Sequence, residues 1–148
     1  MQIREMTREE SVALLLRNRL GRIACVREGQ PYITPIHFAF NADYLYCFST
    51  VGQKIEWMRT SPLVCLEADE IESSNTWATV IVLGEYGELP KTPEFEEARR
   101  VAAELLQRHP LWWEPASSKL MAAERELELV HFRIHVSSMS GRRAGPGG

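Results

Sequence analysis

Three β-type runs joined by connections of only a few residues constrain this chain more than any other feature. Residues 22–28, 32–40 and 44–48 read as the runs, with turns at 28–31 and 41–43. Connections this short exclude the crossover that a parallel pair needs, so the runs form an antiparallel meander. Pro35 interrupts the second run. A proline cannot donate to a ladder, so that strand is an edge, a bulge, or a place where the backbone faces something other than a strand.

The remaining elements follow by period and punctuation. Thr7 and Glu10 have the spacing of a capping box, opening a helix to about Asn18 with Val12, Leu15 and Leu16 inward. A short helix follows at 53–60, then strands at 63–68, 77–89 and 129–136. The 77–89 run is long enough to bend at Gly84 or Gly87. Thr92 and Pro93 open another helix, whose buried stripe is Phe95, Ala98, Ala102, Leu105, Leu106 and His109. The HPLWWEP stretch at 109–115 breaks it, and 124–128 is ambiguous between helix end and loop. Five or six strands and three short helices in 148 residues argue for one mainly β domain, closed as a small antiparallel barrel.

Composition limits the partners. The net charge is -3 and the sequence pI about 5.8, so the chain does not attract a polyanion and nucleic acid is excluded as a general partner. No stretch approaches the roughly 18 apolar residues of a bilayer crossing, so no membrane is expected. The start, MQIREMTREE, lacks a signal-peptide core. Cys25, Cys47 and Cys65 lie in apolar runs without a C-x-x-C spacing, and read as reduced core thiols in a cytoplasmic protein.

The junction S49-T-V-G-Q-K54 combines two hydroxyls, a glycine and a lysine where a strand gives way to a helix. Hydroxyls, free helix N–H groups and one mobile cation make a modest phosphate pocket. The spacing is not that of a Walker A loop. Ser and Thr also cap helices with no ligand present. Gly141-Arg142-Arg143 is either a solvated basic face or a second anion contact. Trp77, at a strand start, either covers a planar ligand or closes a barrel end.

Taken in order, L20-G-R-I-A-C-V26, G29-Q-P-Y-I-T-P-I-H-F38, L45-Y-C-F-S-T-V-G-Q-K-I-E56, residues 62–68, W77-A-T-V-I-V-L-G-E-Y-G87 and S140-G-R-R143 resemble the pyridoxamine 5'-phosphate oxidase-like flavin-binding split-barrel superfamily. The nearer likeness is to its nitroimidazole-resistance-type branch. The resemblance implies a six-stranded antiparallel split β-barrel with short peripheral helices over residues 1–143, while residues 144–148 have little to pack and read as a disordered tail. It implies a homodimer binding FMN in two clefts at the subunit interface. By the same likeness Thr34, Pro35 and Ile36 lay backbone against the isoalloxazine, Ser49, Thr50 and Lys54 hold the phosphate, Trp77 flanks the pocket, and Arg142 or Arg143 reaches it from the C-terminal segment. Two departures stand out: Phe48 and Gln53 occupy positions where the family often has histidine and arginine. The second removes one phosphate-facing cation. Relatives in the superfamily use FMN, haem or the deazaflavin F420.

His37, next to Pro35 and Ile36, is the side-chain candidate for catalysis, against a bland reading as a polar residue on the solvent face. His131 and His135 share one strand face with Arg133 between them, which argues against a two-histidine metal site; either is a conceivable haem ligand. Trp112 and Trp113 form an apolar patch that packs the barrel, lines the substrate side or forms the dimer seam. Two functions follow from the resemblance. One is an FMN-dependent oxidoreductase passing hydride between a reduced nicotinamide or small substrate and a small aromatic or nitroaromatic acceptor. The other is a flavin- or haem-binding protein for storage or sensing, without turnover.

Overall fold

The structure, a computed structural model, describes residues 1–107 and 129–146. Seven strands form one antiparallel sheet that closes on itself: β1 (Gln2–Glu5), β2 (Leu20–Arg27), β3 (Gln30–Asn41), β4 (Tyr44–Thr50), β5 (Leu63–Ser73), β6 (Thr76–Glu88) and β7 (Leu129–Gly145). The order is β1-β7-β4-β3-β2-β5-β6, and β6 pairs back to β7 to close the ring. Three helices accompany it: α1 (Arg8–Arg17), α2 (Gln53–Thr60) and α3 (Glu96–Gln107), the last preceded by a 3-10 turn at Pro93–Phe95.

The meander forms as its short connections require. Arg27 pairs with Gln30, so the first turn is only Glu28-Gly29, and both residues have positive φ, as the twist of a two-residue hairpin demands. Asn41 pairs with Tyr44 across Ala42-Asp43. Alternation then sorts the side chains. Ile23, Cys25, Ile36, Phe38, Phe40, Leu45, Cys47, Val64, Leu66, Val80, Val82, Phe132 and Ile134 fill the barrel. Leu14 and Leu15 of α1, and Ile55 and Met58 of α2, join this core. A second cluster, with Ala39, Tyr46 and Leu89, packs α3 through Ala102 and Leu106 against the outside of β3 and β4.

Thr7 caps α1 as its spacing requires: its Oγ1 accepts from the Glu10 N–H at 3.1 Å, and Glu10 Oε1 accepts from the Thr7 N–H at 2.9 Å. The buried face of α1 differs from expectation. Ser11, Leu14 and Leu15 are inward, whereas Leu16 is 51% exposed. Ser11 is small because β7 passes close: a Cβ on Gly141 would lie 2.7 Å from Ser11 Oγ. The bend of β6 falls at Gly84, where the register against β7 shifts and a Cβ would meet the His135 carbonyl oxygen at 2.5 Å.

Two further corrections concern the ends. β1 is a seventh strand, pairing Gln2–Glu5 with 142–145 of β7. The disordered tail expected from 144 does not begin there: Ala144 is 2% exposed, pairs with Ile3 and Trp77, and Gly145 is still in the strand. His109, Trp112, Trp113, the 124–128 segment and residues 147–148 lie outside the described residues.

Candidate functional site

The barrel is split between β3 and β4. These strands pair only from Phe38 to Asn41 against Cys47 to Tyr44. β3 pairs with β2 along residues 30–37, so over that length its other edge has no strand partner among the described residues. Extending the register puts Ser49 level with Ile36 and Thr50 level with Pro35, across the gap rather than bonded to them.

This explains Pro35. The Phe38 N–H donates to the Arg19 carbonyl, on the β2 side. Backbone groups alternate along an antiparallel strand, so those of Ile33, Pro35 and His37 point to the open edge. The missing N–H of Pro35 falls there and costs the ladder nothing. Ile36 carries its side chain into the barrel core at 4% exposure, and its backbone groups, like those of Phe38, face β2. Thr34 is half-buried and Pro35 is exposed.

At the mouth of the split, Lys54 Nζ donates to Ser49 Oγ at 2.6 Å, and the Ser49 hydroxyl donates to the Thr50 carbonyl at 3.2 Å. Lys54 makes no ion pair among the described residues. Burial lowers its pKa, because a desolvated ammonium loses water and gains no carboxylate; the nearby thiols of Cys25 and Cys47 act in the other direction. The hydroxyls do not cap α2. Its N-cap is Gly52, with no side-chain hydrogen bond, and Gly52 and Gln53 are exposed. Thr50 alternates onto the face of Phe48 and Tyr46, away from Ser49. Phe48 packs in the α3 cluster and its ring lies 6.0 Å from that of His131. Trp57, one turn along α2 from Lys54, packs edge-on against Tyr32 at 5.8 Å. Neither aromatic was singled out from sequence; their signal was the i, i+3 spacing of Lys54 and Trp57.

Trp77, Arg142 and Arg143 lie elsewhere. Pro35, Arg22, Glu67, Ile81 and Ser140 follow one another across β3, β2, β5, β6 and β7. Four steps of about 4.8 Å separate the open edge from β7 along that path, roughly 19 Å. Trp77 pairs with Ile71 near the tip of the β5–β6 hairpin and lines a cleft of about 180 Å³ with Met6, Glu10, Arg17, Glu70 and Arg143. Arg143 is held by Glu10 at 3.2 Å, beside the Arg4–Glu10 pair at 2.7 Å. Arg4 chiefly, then the Thr7 backbone, hold the Glu10 carboxyl well below the usual range. Arg142 is exposed, in register with Thr79 and Glu5, and makes no ion pair among the described residues. One chain therefore brings Ser49 and Lys54 to the β3 edge, and leaves Trp77 and the arginines on another flank.

His37 is not on the solvent face. It is 3% exposed, and burial pushes its pKa down to about 4. A neutral imidazole so far from its titration point is poorly matched to proton transfer at neutral pH. His135 stacks on Tyr44 at 5.2 Å, and Arg133 lies 4.0 Å over the same ring. Among the described residues no three metal-ligating side chains come together. Cys25 and Cys47 are buried and Cys65 is half-buried; all three are free, and burial raises each thiol pKa. No helix among the described residues is long and apolar enough to cross a membrane.

The outer face of the β2-β5-β6-β7 wall has no helix against it among the described residues. Of the nine exposed large apolar residues, Val26, Ile33, Leu63, Ile71, Ile81 and Leu83 alternate onto this face or its β3 margin. Together they make an apolar surface on one side of the barrel.

The chain is similar, at 42% identity over 149 residues and 99% of each chain, to an uncharacterized protein of Rhizobium meliloti. Among solved structures it is similar to a FAD-binding protein from Mesorhizobium loti, with 37% identity, a TM-score of 0.81 and 99% of each chain covered. A structure from Bacteroides thetaiotaomicron, described as a 5-nitroimidazole antibiotic resistance protein, shares the fold at 17% identity, with a TM-score of 0.67 over 99% of this chain and 93% of that one. The family model for pyridoxamine 5'-phosphate oxidase matches residues 7–143. With that match and these relatives, the chain belongs to the pyridoxamine 5'-phosphate oxidase family.

Proposed function

We propose that this protein binds a flavin nucleotide along the open edge of β3, with its phosphate on Ser49 and Lys54, and acts as an oxidoreductase. The observation that carries the proposal is the split: a strand edge without a partner over residues 30–37, with a hydroxyl and an uncommitted cation converging at its mouth. The donor set fits the group. Backbone groups of Ile33 and Pro35 can meet the polar edge of a planar ring system, and the Lys54 ammonium can exchange Ser49 for a phosphate oxygen. A relative 37% identical is named as FAD-binding, which supports a flavin. FMN is the form the phosphate pocket suggests, and FMN and FAD are distinguished by titration.

When bound, the flavin supplies two-electron hydride chemistry, from a reduced nicotinamide or small substrate to a small aromatic or nitroaromatic acceptor. The chain's own residues hold and orient it. Ile33 and Pro35 contribute backbone along the open edge, and Ser49 and Lys54 the phosphate end. Trp77, Arg142 and Arg143 belong to the same site if a second copy contributes them, because one chain keeps them apart. The uncovered outer face supports that homodimer: it is apolar and carries both Arg22 and Asp69, a mixed-sign surface that can meet its own copy. Free, buried thiols fit the cytoplasm.

A second reading, a flavin-binding protein without turnover, draws on His37. The side chain next to the open edge best suited to acid–base work is buried and held neutral. The absorption spectrum of the purified protein, followed by NADH oxidation with a nitroaromatic acceptor, tests both. Flavin bands with turnover support the oxidoreductase, flavin bands without turnover support the binder, and a protein that takes up neither FMN nor FAD contradicts both.

A further inference from the structure

Glu88, the last residue of β6, gathers two donors on one carboxylate oxygen. Tyr86 Oη donates to Glu88 Oε1 at 2.8 Å, and Arg59 Nε of α2 donates to the same atom. Arg59 chiefly holds the Glu88 carboxyl below its ordinary range, so the pair is ionised at neutral pH. Burial first, then Glu88, raise the Tyr86 phenol, which stays a donor. Tyr86 is 8% exposed and its ring packs on Phe132 at 5.1 Å. A buried phenol whose hydroxyl rests on the carboxylate fixes where that carboxylate points. Arg59 therefore meets an acceptor held in one place.

The cluster holds the far end of the helix that carries Lys54. A helix of eight residues depends on its surroundings for order. The buried residues of α2 are Ile55 and Met58, and its N-cap, Gly52, makes no side-chain hydrogen bond. One polar tie runs from Lys54 to Ser49 on β4, another from Arg59 to Glu88 on β6. Ser49 pairs with Val130 and Glu88 with Phe132, so the two anchors flank β7, two strand spacings or roughly 10 Å apart. Lys54 and Arg59 are about 7.5 Å apart along the helix axis and on different sides of it. Between these points α2 bridges the end of the barrel. Just past the helix, the Tyr86 N–H donates to the Pro62 carbonyl at 2.7 Å, so the same tyrosine also holds the chain where it leaves α2.

We propose that Glu88 is a positioning residue for the phosphate site: through Arg59 it fixes α2, and so keeps the Lys54 ammonium at the mouth of the split when the lysine leaves Ser49 for a phosphate oxygen. The inference rests on the reading that a flavin phosphate binds at Ser49 and Lys54. Without ligand, α2 is tied to the barrel at both ends. With phosphate bound, the Lys54 tie passes to the ligand, and the Arg59 tie then holds the helix together with Ile55 and Met58. The Arg59 and Glu88 side chains are 43% and 29% exposed. An ion pair of that exposure adds little to global stability, so its removal leaves the barrel folded and acts on the placement of α2. Riboflavin, which has no phosphate, does not draw on Lys54 and is indifferent to where the helix sets it.

Titration of FMN and of riboflavin into the full chain, freed of bound flavin, tests this in wild type, Glu88→Ala, Lys54→Ala and the double variant. Glu88→Ala should weaken FMN by about tenfold, the loss of one well-placed charged contact, and riboflavin by less than about twofold. In the Lys54→Ala background the same change should weaken FMN by less than about twofold, because no ammonium is left to place, whereas general damage to the fold would act in both backgrounds. Glu88→Gln keeps an acceptor for Tyr86 and Arg59 and should recover most of the FMN affinity. Arg59 is exposed, and Arg59→Ala should reproduce the Glu88→Ala pattern, including where Glu88→Ala does not fold. Unchanged FMN affinity in both Glu88→Ala and Arg59→Ala overturns the positioning role. So do equal losses for the two ligands, or a loss of FMN that is undiminished in Lys54→Ala. An FMN affinity that Lys54→Ala itself leaves intact overturns instead the phosphate reading beneath it.

Discussion

The Lys54 ammonium and the Ser49 hydroxyl meet at 2.6 Å across a strand-to-helix junction, and no carboxylate among the described residues claims the lysine. A half-buried cation whose pKa is lowered by burial is held there against its own solvation. Ser49 is a weak partner for a full charge, so an arriving phosphate has both a donor and a cation aimed at one point.

The aromatic flank is tested through Trp77. Trp77→Ala should weaken flavin binding by about tenfold and remove part of the fluorescence quenching seen on titration. Trp57, Trp112 and Trp113 also emit, so the comparison is between the two titrations rather than within one. Identical quenching in both proteins would place the indole away from the flavin.

The proposed dimer face is tested by charge. Leu83 and Ile81 are 51% and 41% exposed in the single chain, so Leu83→Asp and Ile81→Asp should alter the stability of that chain by no more than about 0.5 kcal/mol. Each should shift the sedimentation coefficient toward a 16.9 kDa monomer and weaken flavin binding by at least tenfold. A monomer that keeps full flavin affinity would mean that one chain completes the site.

His37 makes a prediction about pH. Its pKa of about 4 in the folded chain, against an ordinary value near 6.5, is due to burial. The neutral imidazole is the form the fold accepts, so stability is complete above about pH 6.5 and falls as pH drops toward 4. The loss relative to His37→Gln should reach about 2–3 kcal/mol at the acid end. Ring-proton chemical shifts give the titration and urea unfolding at each pH gives the stability; a midpoint near 6.5 would show that the ring reaches solvent.

Gly84 supports the bend of β6 against β7. A Cβ there would sit 2.5 Å from a backbone oxygen of His135. Gly84→Ala should destabilise the barrel by about 1–3 kcal/mol in urea unfolding, and an unchanged midpoint would show that the strand yields freely.

Much of this was legible from residues alone because alternation and short turns leave few choices. The capping box, the meander and the helix that carries Lys54 all form where their local chemistry requires. Pro35 announced the open edge by being a proline inside a strand. The misreadings have physical causes. β1 is exposed along its length and has no apolar period, so only its partner defines it. The last strand reads as ending at Val136 because the Ser- and Gly-rich stretch after it lacks the β-branched run of a strand, yet pairing on both edges with β1 and β6 carries it to Gly145. Leu16 is as apolar as Leu15, and only the direction of α1 against β7 decides which is buried. The separation of Trp77 from Lys54 could not be read locally, since it depends on how far apart the sheet order sets their strands.

The most direct measurement is a calorimetric titration of FMN and of riboflavin, which has the ring but no phosphate, into wild type and Lys54→Ala. Loss of the lysine should weaken FMN by about 1.5–3 kcal/mol, roughly 10- to 150-fold, while riboflavin changes by less than about 1 kcal/mol. Higher salt should weaken FMN more than riboflavin in wild type. Equal losses for the two ligands, or no loss for either, would contradict a phosphate site built on Ser49 and Lys54.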